Sequence, residues 1–282
     1  MSYPLIARKV ATEPWALEPQ TFRIILHALD NHVPGTPREQ IEPVAHYRDE
    51  ELYTDDDDTE EYLEQHGIAV IPVHGIIGKK LSWLELLCGG CDLNQVSYLI
   101  DQAVKDSRVR AIVLDIESPG GTCTGLPEIT RKIQAADEIK PVYAYTDGVC
   151  ASAAYWIAAS CREILAAPSS HVGNVGCYIM VMDYSRWYEE AGIKHDPIVQ
   201  GEFKLAGAKF KALTDQERAY FQAQVDKTAD QFKAIIRARH EVDDENLEGQ
   251  TFDGDDAFAV GMVDQLADDL AEAVDNIVLT LS

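Results

Sequence analysis

Short apolar runs rich in β-branched residues alternate with amphipathic segments over the middle of the chain. The runs Ile68–His74, 109–116 and 141–146 predict buried strands, because both faces of such a strand must be covered. The segments Leu93–Lys105 and 126–136 repeat apolar residues every three or four positions, which predicts helices. Strands that alternate with helices predict an α/β fold of stacked βαβ units around a mostly parallel sheet.

The rest of the pattern predicts turns, a short strand and further helices. Residues 118–122, Ser-Pro-Gly-Gly-Thr, indicate a tight turn after the second strand. Residues 151–160 have small side chains typical of a closely packed helix, and residues 163–167 predict a short strand. A capping-box sequence at 214–217 predicts the start of a long helix over 215–240. A further turn and two short helices are predicted at 251–254, 255–260 and 264–279.

The first 66 residues have a weaker pattern. Only residues 19–32 space their apolar side chains as a helix would, and the acidic residues between 55 and 61 are typical of a solvated linker. We therefore divide the chain into three parts. These are a partly helical N-terminal extension (1–66), an α/β core (67–212) and a helical C-terminal part of the same domain (213–282).

The charge of the chain narrows its possible partners. Its 48 acidic and 24 basic residues give a formal net charge of -24 among 282 residues. Such a surface repels phosphate backbones and anionic lipids, so we expect no nucleic-acid partner. No apolar run approaches the roughly 20 residues of a membrane span. Because Arg8 and Lys9 lie where a secretory signal would be apolar, we expect a cytoplasmic protein.

Six cysteines are spread along the chain. In a cytoplasmic protein we expect them to be reduced core residues. Cys88 and Cys91 have the spacing of a zinc knuckle, but no second pair of ligands follows them. A metal site or a redox pair remains an alternative there, and the expectation is that the protein needs no metal and no cofactor.

Two strand-to-helix crossings carry residues suited to acyl transfer. In Ser118-Pro119-Gly120-Gly121, adjacent glycines can direct backbone N–H groups towards a developing negative charge, although a plain turn has the same sequence. Ser152 follows a strand and precedes a helix, where the helix dipole favours a nucleophilic hydroxyl. The alternative is that Ser152 only caps that helix.

A serine nucleophile needs a base. Lys204, Lys209 and Lys211 are candidates, because a lysine serves as a base when burial keeps it neutral. Most lysines are simply exposed, so the residue type alone does not choose among them. A Ser-His-Asp triad is the alternative, with His171 as the only histidine in the expected stretch.

Taken in order, seven short motifs resemble the S49 family of serine peptidases, which includes signal peptide peptidase A and the phage capsid maturation proteases. The resemblance covers about residues 68 to 266. The motifs are 70–75 (Val-Ile-Pro-Val-His-Gly), 118–121 (Ser-Pro-Gly-Gly), 151–157 (Ala-Ser-Ala-Ala-Tyr-Trp-Ile), 173–176 (Gly-Asn-Val-Gly), 201–204 (Gly-Glu-Phe-Lys), 213–218 (Leu-Thr-Asp-Gln-Glu-Arg) and 254 through 261–264 (Gly-Met-Val-Asp).

The resemblance implies a Clp/crotonase-like fold and a Ser–Lys dyad. By motif position, Ser152 is the nucleophile and Lys204 is the base. The N–H groups of Gly120 and Ala153 would form the oxyanion hole, with Gly121 in support. Asn174 stands where the family usually has a serine that hydrogen-bonds the lysine, and its side-chain carbonyl could take over that role.

The family can assemble its dyad across a subunit contact, so the resemblance also implies a homo-oligomer, with helix 215–240 as a packing element. The expected activity is serine endopeptidase. The expected role is phage or prophage capsid assembly in the host cytoplasm, with scaffold or capsid proteins as substrates. Three alternatives stay open: a cytosolic peptidase that degrades peptides, an inactive scaffold subunit, and an acyl-CoA enzyme of the same fold.

Overall fold

The computed structural model describes residues 15–17, 57–82, 85–86 and 89–281. The strands are β1 (Trp15–Leu17), β2 (Ile68–His74), β3 (Ile76–Gly78), β4 (Gly90–Asp92), β5 (Ala111–Glu117), β6 (Gly120–Thr122), β7 (Val142–Thr146), β8 (Val149–Ala151), β9 (Ile164–Ala166), β10 (His171–Gly173), β11 (Thr251–Asp253) and β12 (Gln265–Leu266). The helices are α1 (Asp57–His66), α2 (Leu93–Lys105), α3 (Leu126–Asp137), α4 (Ala153–Ala158), α5 (Ser185–Glu190), α6 (Asp215–Arg237), α7 (Gly254–Ala259) and α8 (Leu270–Thr280).

The central sheet has five parallel strands in the order β12-β9-β7-β5-β2. Ile68 and Val70 of β2 belong to one apolar cluster, with α8, while Ala69 and Ile71 belong to the other, with α2 and α3. Because side chains alternate along a strand, both faces of the sheet are covered. The predicted α/β fold with a buried parallel sheet is confirmed.

Two small sheets lie beyond the central one, in the orders β1-β6-β3-β4 and β11-β10-β8. Ser118 connects them to the central sheet: its N–H donates to Val149 O at 2.6 Å, and its carbonyl accepts from Ala151 N at 3.1 Å. This connection holds β6 and β8 side by side just beyond the end of β5. The two crossings singled out in the sequence are therefore neighbours in space.

Most long elements have the predicted bounds, while the segments predicted as turns differ. Residues 118–122 contain strand β6, and residues 251–254 contain strand β11, because each segment pairs with strands distant in sequence. The predicted acidic linker is helical from Asp57 onwards, and Leu63 of α1 is buried against the core. The predicted helix at 19–32 lies outside the described residues.

Helix α6 begins with the predicted capping box. Thr214 Oγ1 accepts from Glu217 N at 3.2 Å, and Glu217 Oε2 accepts from Thr214 N at 3.0 Å. Of its 23 residues, only Glu217, Phe232 and Ile236 are buried. The ring of Phe232 stacks on Trp156 with centroids 4.8 Å apart, so the helix is anchored mainly by its C-terminal half.

The cysteines of the described residues form no disulfide bonds, and Cys88 lies outside that part of the chain. Burial raises the pKa of Cys91 to about 12, which makes that thiol a poor ligand and a poor nucleophile. No group of metal-binding side chains occurs among the described residues. None of the described helices is long and apolar enough to cross a membrane.

Candidate active site

Ser152 lies at the sharp turn between β8 and α4 and is 1% exposed. Its φ of 58° and ψ of −115° fall in a region that costs a residue other than glycine about 1–3 kcal/mol. Its side chain makes no capping hydrogen bond to α4, so the alternative of a simple helix cap receives no support. A strained serine between a strand and a helix is typical of a nucleophile presented to a substrate.

The surroundings of Ser152 hold this strained conformation. Its N–H donates to Gly173 O at 2.7 Å, at the end of the neighbouring strand β10. Its carbonyl accepts from Trp156 N at 2.9 Å, which begins the helical hydrogen bonding of α4. All six residues of α4 are buried, so the helix cannot shift to relieve the turn.

Gly120 and Gly121 of β6 lie opposite this turn, and neither has room for a side chain. A Cβ on Gly120 would be 2.3 Å from Ala16 O and 3.0 Å from Ala153 N. A Cβ on Gly121 would be 1.9 Å from Ile77 O. Gly120 therefore allows β6 to approach β1 and the start of α4, and Gly121 allows it to approach β3.

The N–H group of Gly120 is already engaged. It donates to Ser118 Oγ at 3.1 Å, and the Ser118 hydroxyl donates to Gly75 O at 2.6 Å. Ser118 is fully buried and fixes the start of β6. The Gly120 N–H, the oxyanion donor expected from the sequence, thus donates to Ser118 in this structure.

Strand β1 lies in a groove between β6 and Tyr178, and its hydrogen bonds show which glycine faces that groove. The N–H of Trp15 donates to Tyr178 O and its carbonyl accepts from Tyr178 N, both at 2.9 Å. On its other edge β1 pairs antiparallel with β6, with Ala16 opposite Gly121. Since successive residues of a strand direct their amide groups to opposite edges, Ala16 and Gly121 form the hydrogen-bonded pair. In such a pair the Gly121 N–H donates to the carbonyl of the strand beside it, so Gly121, with Ala153, is a second candidate for an oxyanion hole that would bind a substrate carbonyl in place of that of Ala16.

A cavity of about 320 Å³ opens beside Ser152. Leu17, Asn174, Tyr178 and Lys233 are among the residues that line it. The Lys233 amine pairs with Glu248 at 2.5 Å. No motif in the sequence points to Lys233, because only the packing of α6 brings it to the cavity.

Asn174 is also strained, with a φ of 55°. Its N–H donates to Gln250 O at 2.6 Å and its side-chain Nδ2 donates to Gly249 O at 3.0 Å. These two bonds fix the amide at the rim of the cavity. The side-chain carbonyl is the part of Asn174 that could accept a hydrogen bond from a base.

Within one chain, Lys204 is exposed and does not line the cavity beside Ser152. The other two candidate lysines are engaged: Lys211 pairs with Glu217 at 2.5 Å, and Lys209 lies 5.6 Å from the ring centre of Tyr184. Among the described residues, Lys204 has no ion-pair partner. Lys204 is thus an exposed lysine outside the cavity lining that includes Ser152.

The histidine of the alternative triad is directed elsewhere. His171 Nδ1 lies 3.1 Å from Asp253 Oδ1, where β10 pairs with β11, and both side chains are more than half exposed. His171 does not line the cavity that contains Ser152. The geometry gives no support to a Ser-His-Asp arrangement.

These features define an α/β protein with a buried serine at a strained turn, opposite a glycine-rich strand. Comparison with protein families agrees with this description: the sequence model described as peptidase family S49 matches residues 134–277, about half of the chain. The chain belongs to peptidase family S49.

Two relatives come from phages. The chain is 28% identical over 265 residues to the head-tail preconnector protein GP5 of Enterobacteria phage P21, covering 90% of this chain and 53% of that protein. It is 26% identical over 281 residues to the capsid assembly protease C of Escherichia phage lambda, covering 93% and 63%. This chain therefore spans between half and two thirds of the length of these relatives.

Among solved structures, a mutant of ClpP1 from Listeria monocytogenes aligns with a TM-score of 0.49 and 14% identity. The alignment covers 76% of this chain and 98% of that one.

Proposed function

We propose that this chain is a serine endopeptidase in which Ser152 is the nucleophile and Lys204 the general base. The observation that carries the proposal is the conformation of Ser152: a strained, buried serine that does not cap its helix. Strain of this kind clusters where a residue must be presented to a ligand. Membership of a peptidase family supports the same conclusion.

In the proposed reaction, neutral Lys204 takes the proton of Ser152 as the hydroxyl attacks a peptide carbonyl. The N–H groups of Gly121 and Ala153 stabilise the oxyanion, and the lysine passes the proton to the leaving amine. Water then hydrolyses the acyl-enzyme. Ser118 acts as a positioning residue, because it holds the start of β6 through Gly120.

We further propose that Lys204 reaches the serine of a second copy of the chain. Lys204 lies near exposed apolar side chains, among them Ile198, Val199 and Phe203, and the Phe203 ring stacks on exposed Tyr220 at 4.8 Å. Exposed apolar groups of this kind mark protein–protein contacts. A contact between copies would cover them and would bury the lysine, which favours its neutral form.

Labelling with a fluorophosphonate probe tests the assignment of the dyad, because only an activated serine reacts. We expect the purified wild type to be labelled faster as the pH rises, since the base must lose its proton. Ser152→Ala and Lys204→Ala should lower the rate to background, a loss of about 10³-fold or more. Intact-protein mass spectrometry measures the labelled fraction.

Two matched variants control this experiment. Ser97→Ala removes a hydroxyl from helix α2, and Lys209→Ala removes a lysine that lies over Tyr184. Both should be labelled at the wild-type rate. A Ser152→Ala protein that still reacts would contradict the proposal, and an unreactive but well-folded wild type would favour the inactive-scaffold alternative.

We propose a role in phage capsid assembly, in the host cytoplasm, with scaffold or capsid proteins as substrates. The extent of the matches favours this role over a general cellular peptidase: relatives named as phage head proteins align with 90% and 93% of the chain. Co-expression with the scaffold and capsid genes of the same phage should give discrete cleavage products, absent with Ser152→Ala. Intact scaffold and capsid proteins would argue for a different substrate.

A further inference from the structure

The groove between β6 and Tyr178 is occupied by the chain itself. Strand β1 lies in it with hydrogen bonds on both edges, to Tyr178 on one side and to β6 on the other. An extended peptide added to a sheet edge is a common way for a protein to bind another polypeptide. Residues Trp15–Leu17 therefore occupy the place that a peptide substrate would take beside Ser152.

The register of β1 identifies the bond presented to the serine. Ala16 is the residue whose amide group and carbonyl face β6, because Trp15 is bonded to Tyr178. The carbonyl oxygen of Ala16 and the nitrogen of Ala153 both lie within 3.0 Å of the point where a Gly120 side chain would begin. The Ala16 carbonyl oxygen and the nitrogen of Ala153 thus border the same small space beside Gly120.

The side chains on either side of that carbonyl agree with this register. Ala16 is 1% exposed and packs in the main apolar cluster. Leu17, the next residue, lines the same cavity as Ser152. The peptide bond between Ala16 and Leu17 therefore lies beside the cavity that Ser152 lines, between two buried side chains.

We propose that the bond between Ala16 and Leu17 is a self-cleavage site, at which the chain removes its own first 16 residues. This inference rests on the proposed function. Ser152 Oγ adds to the Ala16 carbonyl carbon as its proton passes to Lys204. The C–N bond to Leu17 then breaks, and the Leu17 amine receives the proton. One water molecule hydrolyses the ester, releasing residues 1–16 with a free carboxylate.

The same geometry indicates which substrates the enzyme accepts in trans. The residue before the cleaved bond must be small, because the Ala16 methyl group is enclosed. The residue after it can be a large apolar one, as Leu17 is. We expect extended segments with a small residue followed by an apolar residue to be cleaved.

Mass spectrometry of the purified full chain tests the site. Wild-type protein should convert to a species that begins at Leu17, and Ser152→Ala should keep residues 1–282. Ala16→Trp should lower the rate of conversion about 100-fold or more, because a bulky side chain displaces the carbonyl from the serine. Ala16→Gly, which keeps the carbonyl and needs no space, is the control and should still be cleaved.

A cleavage assay on synthetic peptides tests the same site even if the Ala16→Trp protein does not fold. The wild-type protein should cut the synthetic peptide of residues 11–22 between Ala16 and Leu17. The same peptide with Ala16→Trp should stay intact. An intact wild-type chain, a new N-terminus other than Leu17, or equal cleavage of the two peptides would overturn the inference. Fluorophosphonate labelling of the same sample separates the outcomes, since a labelled but uncut chain leaves the peptidase proposal standing.

Discussion

Mixing Ser152→Ala and Lys204→Ala subunits should restore peptide hydrolysis that neither variant has alone. Each variant lacks one member of the dyad, so each alone should lose about 10⁴-fold or more in kcat. If the lysine of a neighbouring copy is the general base for each serine, a mixed oligomer contains some Ser152–Lys204 pairs in which both groups are intact. Random mixing of equal amounts should recover about a quarter of the wild-type rate in a closed ring. A quenched fluorescent peptide measures this recovery after the two proteins are unfolded and refolded together.

The control for this mixture is Ser152→Ala refolded with the Ser152→Ala/Lys204→Ala double variant, which cannot form a complete pair and should stay inactive. Native mass spectrometry verifies that mixed oligomers have formed. Mixed oligomers without activity would place both groups of the dyad in one chain. In that case Lys233, which lines the cavity, would become the next lysine to test.

Replacing Phe232 by alanine should lower the free energy of unfolding by about 3–5 kcal/mol, the usual loss for a buried phenylalanine. Its ring is fully buried and stacks on Trp156 in α4, the helix that follows the nucleophile. The other buried positions of α6 are only Glu217 and Ile236, so little else holds the helix to the core. Urea unfolding followed by circular dichroism measures the change.

Phe258→Ala provides a matched control, because it removes the same side chain from α7 where the ring is 48% exposed. That change should stay within about 0.5 kcal/mol of the wild type. Amide hydrogen exchange adds a local measurement, since α6 should exchange faster in Phe232→Ala and not in Phe258→Ala. Equal losses of stability in the two variants would show that the stacking on Trp156 does not anchor the helix.

The sequence predicts the long elements well because their signals are local. Strand β2 and helix α2 have the bounds that their apolar patterns indicate, and the capping box at Thr214 marks the start of α6. The prediction of turns at the short strands β6 and β11 is wrong. Their sequences do favour turns, and only partners distant along the chain draw them into sheets.

The residues of the candidate site also divide into those with a local sequence signal and those placed by distant contacts. Ser152 and the glycines could be found from short motifs, because a strand-to-helix crossing leaves a local signature. Which of Gly120 and Gly121 directs its amide group towards β1 could not be predicted, since it depends on the hydrogen bonds of Trp15 with Tyr178. The sequence could not show that Lys204 is exposed and absent from the cavity lining that includes Ser152. These placements depend on contacts over long distances.

The groove is built largely from main-chain groups: the turn at Ser152, the bare backbone of Gly120 and Gly121, and the amide and carbonyl of Tyr178. Main-chain groups are supplied by any residue that fits the backbone path. Evolution can therefore replace most side chains around the groove without altering its hydrogen-bonding edges. Gly120 and Gly121 are the exception, because even one added carbon atom there collides with the neighbouring backbone. We therefore expect the amino-acid sequences of such proteins to vary widely over the surface and little at these glycine positions.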